Sequence, residues 1–200
     1  MAGQRSPLVR ILFEVEVKIP IDAGEPLAEK LLSAHAEFRR IEVHVDSYYN
    51  HPCRDFSSTD EALRVRHKIV EESATALARE VFELTYKGPK IDPVSKTRVE
   101  VSTRLTSFTA VCSILSHLGF ELVREVRKRR SIFQLGNMEI CIDRVEDLGV
   151  FVEFEVDVGS NEQVTPAREQ IFKVAQELGL NPEDSIRESY LELLLAADNN

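Results

Sequence analysis

The chain has 200 residues, 43% of them apolar, and 25 Lys+Arg against 34 Asp+Glu give a formal net charge of -9. Its 30% charged residues are scattered, so no stretch offers the roughly 20 apolar residues of a membrane-spanning helix. The opening Met1-Ala2-Gly3-Gln4-Arg5-Ser6-Pro7 lacks the apolar core of a secretory signal, and the acidic balance weighs against wholesale nucleic-acid binding, which needs many cations on phosphates.

In chain order, the first alternating run is Ile11 to Ile19, a predicted strand. Leu27, Leu31, Ala34 and Phe38 then follow helical spacing. Four more alternating runs come next, Val43 to Tyr49, Ala62 to Ile69, Glu80 to Lys87 and Thr97 to Thr103, with breakers at Lys87-Gly88-Pro89 and Asp92-Pro93. Phe108, Val111, Leu115 and Leu118 form a second helical stripe that stops at Gly119. Val126 to Leu135 and Met138 to Arg144 alternate on either side of Gly136-Asn137, a two-residue hairpin signal, and Val150 to Val158 completes eight strands. Thr165-Pro166 is a helix start ahead of Ile171, Val174 and Leu178, with a stop at Gly179, and Asn181-Pro182 repeats that start before Ile186, Tyr190, Leu193 and Leu194. No linker or repeat divides the chain, so one α+β domain over residues 1–200 is expected.

Cys53, Cys112 and Cys141 are odd in number and far apart, which argues against a disulfide framework. The five histidines show no metal-ligand spacing. The strands are more informative. Side chains alternate faces along a strand, so Glu14, Glu16 and Lys18 share one face against Val15, Val17 and Ile19. The same split puts Arg64, Arg66 and Lys68 together, and likewise Glu83, Thr85 and Lys87. Arg98 and Glu100, Lys128 and Arg130, Cys141 and Asp143, and Glu153, Glu155 and Asp157 complete the set.

Two architectures fit this pattern. An open antiparallel sheet would pack its apolar face on helices and show its charges to water. Alternatively, an eight-stranded antiparallel closed barrel would carry about four helices outside and the charges within, with room for one small ligand. Interior charges cost several kcal/mol each when unpaired, so the barrel requires a highly charged ligand. Arginine forks suit phosphate oxygens, and carboxylates suit Mg²⁺ or Mn²⁺.

The blocks Glu14-x-Glu16-x-Lys18, Asp46-Ser47-Tyr48-Tyr49-Asn50, Ala62-Leu63-Arg64-Val65-Arg66 and Thr85-Tyr86-Lys87-Gly88-Pro89 run in that order. Val99-Glu100-Val101, Arg127-Lys128-Arg129-Arg130, Cys141-Ile142-Asp143-Arg144, Phe151-Val152-Glu153-Phe154-Glu155 and Ser189-Tyr190-Leu191-Glu192-Leu193 follow them. This series resembles the CYTH or triphosphate tunnel metalloenzyme family over nearly the whole chain, closest to its class IV adenylyl cyclase branch. The resemblance implies a β-tunnel that holds a triphosphate with Mg²⁺ or Mn²⁺. Lys18, Arg64, Arg66, Lys87, Lys128 and Arg130 would grip phosphate oxygens. Glu14, Glu16, Glu100, Asp143, Glu153 and Glu155 would hold or orient metal, and Glu14, Glu16, Lys18 and Lys87 would carry the catalytic roles. Asn50 stands where relatives often carry Asp.

The implied substrates are ATP, inorganic triphosphate or thiamine triphosphate. Two chemistries stay open: cyclisation of ATP to cyclic AMP and pyrophosphate, and hydrolysis of a terminal phosphate. A non-catalytic polyphosphate or nucleotide sensor is a third reading. A homodimer is compatible with the family, and a cytoplasmic location is expected. The basic run Arg124 to Arg130 alternates faces, so half of it would be a solvated edge rather than a nucleic-acid patch. No P-loop, GxGxxG or GxSxG is present. Tyr48, Tyr49 and Phe56 would serve as base-stacking or as packing residues. The proposed lining has six cations and six carboxylates, so the whole net charge of -9 falls on the outer shell.

Overall fold

A computed structural model describes residues 13–22, 27–71, 77–90 and 98–198. The predicted positions Ile11 and Thr97 and the Asp92-Pro93 breaker lie outside the described residues. The described residues form eight strands: β1 (Phe13–Ile21), β2 (Glu37–Asn50), β3 (Ala62–Glu71), β4 (Arg79–Lys90), β5 (Arg98–Leu105), β6 (Glu121–Leu135), β7 (Met138–Val145) and β8 (Gly149–Val158). Among the same residues four α-helices join them: α1 (Leu27–Ser33), α2 (Phe108–His117), α3 (Val164–Glu177) and α4 (Tyr190–Asp198).

All ladders are antiparallel, in the order β1-β8-β7-β6-β2-β3-β4-β5. The sheet curls until its edge strands β1 and β5 approach within 8 Å between Cα atoms. Among the described residues no ladder joins them, so the expected closed barrel is a strongly curled half-barrel, hydrogen-bonded on every seam but one. Right-handed strand twist curls such a sheet, and an apolar outer face that helices must cover holds the curl.

That outer face carries two clusters. Val15, Val17 and Ile19 of β1 and Val152, Phe154 and Val156 of β8 pack beneath Leu27 and Leu31 of α1 and Ala167, Ile171 and Ala175 of α3. Leu115 of α2 covers Tyr49 and Val65 on the opposite wall. The fourth helix departs from the expectation that all helices lie outside. Tyr190 and Leu194 of α4 pack on Val126, Val145 and Phe151. By strand parity these share the faces of Lys128, Asp143 and Glu153, so α4 seals one end of the interior.

Four local departures have simple causes. Phe38 belongs to β2 rather than to the first helix, which ends at Ser33 ahead of a left-handed His35 (φ 65°). β4 runs through Gly88-Pro89 to Lys90, because a register shift between Lys87 and Lys90 removes the need for the N–H that Pro lacks. Thr165 is not an N-cap, since the Asn161–Gln163 turn already leads into α3 at Val164. Asn181-Pro182 starts only the short turn Pro182–Asp184. α4 begins instead at a reciprocal capping box, in which the Ser189 N–H donates to Glu192 Oε2 (2.5 Å) and the Glu192 N–H to Ser189 Oγ (3.2 Å). The Gly136-Asn137 hairpin forms as predicted, with Gly136 at φ 60°, a conformation glycine adopts without penalty.

Candidate active site

The curl turns the charged faces inward around a cavity of about 370 Å³. Its wall includes ten of the twelve predicted site residues: Glu14, Glu16, Arg64, Arg66, Lys87, Glu100, Lys128, Arg130, Glu153 and Glu155. The other two lie behind the wall. Lys18 is 1% exposed and Asp143 0% exposed.

Cross-strand register brings these groups together. Glu16 stands directly opposite Glu155, Lys18 opposite Glu153, Arg130 opposite Asp143 and Lys87 opposite Glu100. Facing carboxylates destabilise a ladder, so the Glu16 and Glu155 pair is costly for folding alone. Most cations are held by carboxylates. Arg66 forks onto Asp46 through two 2.6 Å bonds. Arg130 forks onto Asp143 through two 2.7 Å bonds and also reaches Glu153 and Glu155. Lys128 donates to Asp143 Oδ2 at 2.8 Å, and Lys87 donates to Glu100. Arg64 is held more loosely. Its Nη2 lies 3.4 Å from Thr85 Oγ1 and its Nη1 4.0 Å from Asp46, and its buried Nε has no acceptor.

Proton affinities divide the carboxyls into two groups. Burial opposes ionisation of Asp46 and Asp143, yet Arg66 holds the first, and Arg130 with Lys128 the second, below the usual carboxylate range. Glu100 is likewise lowered, because Lys87 overrides its burial. Glu14 and Glu155 go the other way. Burial pushes Glu14 up to about 7, with Glu100, Glu16 and Asp157 adding to the shift against Lys87. Burial also raises Glu155 well above its ordinary value; Arg130 opposes the rise, and Glu14, Glu16 and Glu153 add to it. The side of the cavity formed by β1 and β8 brings four carboxylates to the wall, Glu14, Glu16, Glu153 and Glu155, and, among the described residues, no cation of its own.

Hard oxygen donors short of positive charge suit Mg²⁺ or Mn²⁺, so Glu14, Glu16 and Glu155 fit the metal that the resemblance implies. Among the described residues no three His, Cys, Asp or Glu side chains already converge as a metal cage. Arg130 and Lys87 engage Glu153, Glu155 and Glu100 instead.

Several wall residues escape the parity argument. Lys90 lies past the apparent breaker, and Asp60 sits in the loop after β2, where it accepts from the Lys90 ammonium (2.7 Å) and lies 3.5 Å from Arg98. Tyr190 reaches the wall only because α4 folds back into the end of the sheet. Asp46 was visible as part of a block but not as the partner of Arg66. His44 lies deeper on β2, 1% exposed, with Nε2 2.7 Å from Glu42 Oε2 and Nδ1 unpartnered. Burial first, then Arg66, Lys128 and Arg130, keeps its ring neutral. Asn50 organises its loop: its side chain accepts from the Phe56 N–H (2.8 Å) and donates to Asp55 (3.2 Å). Phe56 is buried beside His51, and Tyr49 packs under α2. In the basic run, Arg127 and Arg129 point outward to Glu125 and Glu71, as the alternation requires. No helix among the described residues is long and apolar enough to cross a membrane.

Known proteins share both sequence and fold with this chain. A Methanocaldococcus jannaschii protein, provisionally named adenylate cyclase MJ0240, is 36% identical over 91% of this chain and 98% of its own length. The PH1819 protein of Pyrococcus horikoshii superposes with a TM-score of 0.83, is 40% identical, and is covered over 99% of its chain by 92% of this one. A Hippeastrum protein described as a provisional adenylyl cyclase with a dominant triphosphatase activity shares the fold at a TM-score of 0.59 and 15% identity, over 95% of this chain and 97% of its own. Residues 12–190 match the CYTH domain, so that the chain belongs to the CYTH domain family.

Proposed function

We propose that the chain is a divalent-metal-dependent enzyme that binds a triphosphate in the half-barrel and cleaves it, with ATP as substrate and cyclic AMP and pyrophosphate as products. Membership of the family makes it an adenylate cyclase-like or triphosphatase enzyme; the proposal lies in the substrate, the reaction and the residue roles. The observation that carries it is one cavity wall holding Arg64, Arg66, Lys87, Lys128 and Arg130 beside a carboxylate set in which burial, with neighbouring carboxylates, raises the proton affinities of Glu14 and Glu155.

Arg64, Arg66, Lys87, Lys128 and Arg130 are the groups that hold the phosphate oxygens. Their preset positions favour the charge that builds on those oxygens as the P–O bond breaks. Glu14, Glu16 and Glu155, with Glu153 beside them, are the residues that would hold metal. A bound divalent ion would neutralise phosphate charge and help orient the chain of phosphates. In the cyclase reaction the ribose 3′-hydroxyl attacks the α-phosphorus and pyrophosphate leaves; in hydrolysis water attacks a terminal phosphorus. The adenylate cyclase names of the relatives, including CyaB of Aeromonas hydrophila at 26% identity, favour the first. The triphosphatase of the same fold keeps the second as the alternative.

Incubation of the pure protein with ATP, inorganic triphosphate and thiamine triphosphate, in Mg²⁺ or Mn²⁺, separates the two. Cyclic AMP with pyrophosphate establishes the cyclase, and orthophosphate alone establishes the triphosphatase. Absence of turnover of all three would overturn the enzymatic reading.

A further inference from the structure

The segment that precedes α4 is strapped to β1 at a single residue. The Ile186 N–H donates to the Lys18 carbonyl at 2.9 Å, and the Lys18 ammonium donates to the Glu188 carbonyl. Two residues further on, the Tyr190 ring lies 4.0 Å from Lys18 Nζ, centroid to atom. The same ring lies 5.0 Å from Lys128 Nζ. Its hydroxyl donates to Asp143 Oδ2 at 3.0 Å, and that oxygen also accepts from Lys128 at 2.8 Å. One aromatic side chain therefore touches two ammonium groups and the counter-ion of one of them.

A buried tyrosine at the start of a helix is ordinarily a packing residue, and Tyr190 does meet Phe151 edge to face at 5.1 Å. Its other contacts go further than packing requires. Tyr190 lines the cavity and Lys18 does not, although both are nearly buried. The ring's negative face attracts ammonium groups, more strongly where water is excluded, and two neighbouring ammonium groups would otherwise repel.

We infer that Tyr190 is a positioning residue for triphosphate binding, fixing the Lys128 ammonium at the cavity wall, and that Lys18 acts on the substrate through Tyr190 rather than by touching it. The inference rests on the proposed triphosphate site and gives Lys18 a role different from the phosphate contact that the family resemblance implies.

The test uses the full chain, inorganic triphosphate with Mg²⁺ as the probe, and calorimetric affinity beside a thermal melt. Parent protein that binds no triphosphate would remove the site itself, a failure seen before any variant is made. Given binding, Tyr190→Phe keeps the ring and loses only the hydroxyl, and its affinity is expected within about threefold of the parent. A trifluorinated phenylalanine at position 190 keeps that shape and drains the negative face. It is expected to bind about fivefold or more weakly than Tyr190→Phe with an unchanged melt. Equal affinity of the two would overturn the inference. Lys18→Met gives an independent check, since its cost should largely vanish in the fluorinated background. An equal cost in both backgrounds would mean that Lys18 touches the triphosphate itself, and would overturn it as well.

Discussion

Arg130 and Asp143 face each other across the β6 and β7 ladder, and the guanidinium grips the carboxylate through two parallel 2.7 Å bonds. Lys128 and the Tyr190 hydroxyl complete the set of donors around that carboxylate, which is 0% exposed. A carboxylate so fully engaged acts as the counter-ion that lets two cations stand at a buried wall. Removing one partner of a buried ion pair costs about 3–5 kcal/mol. Asp143→Asn should therefore lower the unfolding free energy by about 3 kcal/mol or more in urea. Unchanged stability would show that Arg130 and Lys128 find other counter-charge.

Arg64 and Arg66 alternate with Leu63 and Val65 on β3 yet differ in their ties. Arg66 is forked onto Asp46, whereas Arg64 has one long bond and a buried Nε without acceptor. An arginine kept in a buried wall with unused donors is preset for an anion. Arg64→Ala should weaken inorganic triphosphate binding by about 10- to 100-fold, the loss of one charge-assisted contact of ~1.5–3 kcal/mol, with little change in the melt. Arg66→Ala should destabilise the fold in addition, because it leaves Asp46 buried without its partner. Calorimetry and melting of both variants distinguish the two roles, and similar melts for the pair would refute the division.

Strand parity made the site legible because alternation is a local property: once Glu14, Arg64, Lys128 and Glu155 lie on strands, their faces follow. Which carboxylate pairs with which cation depends on register, and register is set by ladders between segments far apart in sequence. Thus Asp46 was visible within its block, but its fork to Arg66 was not. The same limit hid Lys18. Parity puts its side chain inward with Glu14 and Glu16, but the segment that buries it arrives from residues 186–190. The Gly88-Pro89 pair misled for a different reason. A proline stops a strand only where its missing N–H is needed, and a bulge removes that need. Asn181-Pro182 carried a start signal, but only a short turn follows before the Ser189 capping box opens α4.

Glu14 and Glu155 line the same wall, where burial raises the proton affinity of both and Glu14 adds to the rise at Glu155. Such crowding opposes folding while serving a cation. Glu155→Gln should abolish metal-dependent turnover and leave the protein, in chelator at pH 8, at least as thermally stable as the parent. The mechanism is the loss of one like charge from a buried group. Retained turnover, or a melt several degrees below the parent, would contradict the assignment of this carboxylate to metal.

The pH dependence of stability follows from the burial of these carboxyls. The Glu14 carboxyl has an ordinary value of 4.5, raised to about 7 chiefly by burial. A group whose proton is held more tightly in the fold supports the fold while protonated. That support is complete below the ordinary value and is lost as pH rises through about 7. Its size is about 3 kcal/mol, at 1.36 kcal/mol per pH unit. Glu155 is shifted in the same direction and acts in the same sense. Asp46 and Asp143 are lowered, so their support is lost only as pH falls below the ordinary aspartate range, outside this window. In chelator the protein should thus melt at a lower temperature at pH 8 than at pH 5. Glu14→Gln should flatten that slope. Mg²⁺ or Mn²⁺ should restore stability far more at pH 8 than at pH 5, because ions bind the deprotonated carboxylates of the folded chain and compete with protons for them. A melting temperature that rises from pH 5 to pH 8 in chelator, or metal stabilisation equal at both, would show that the carboxylates on the β1 and β8 side do not form the cation site.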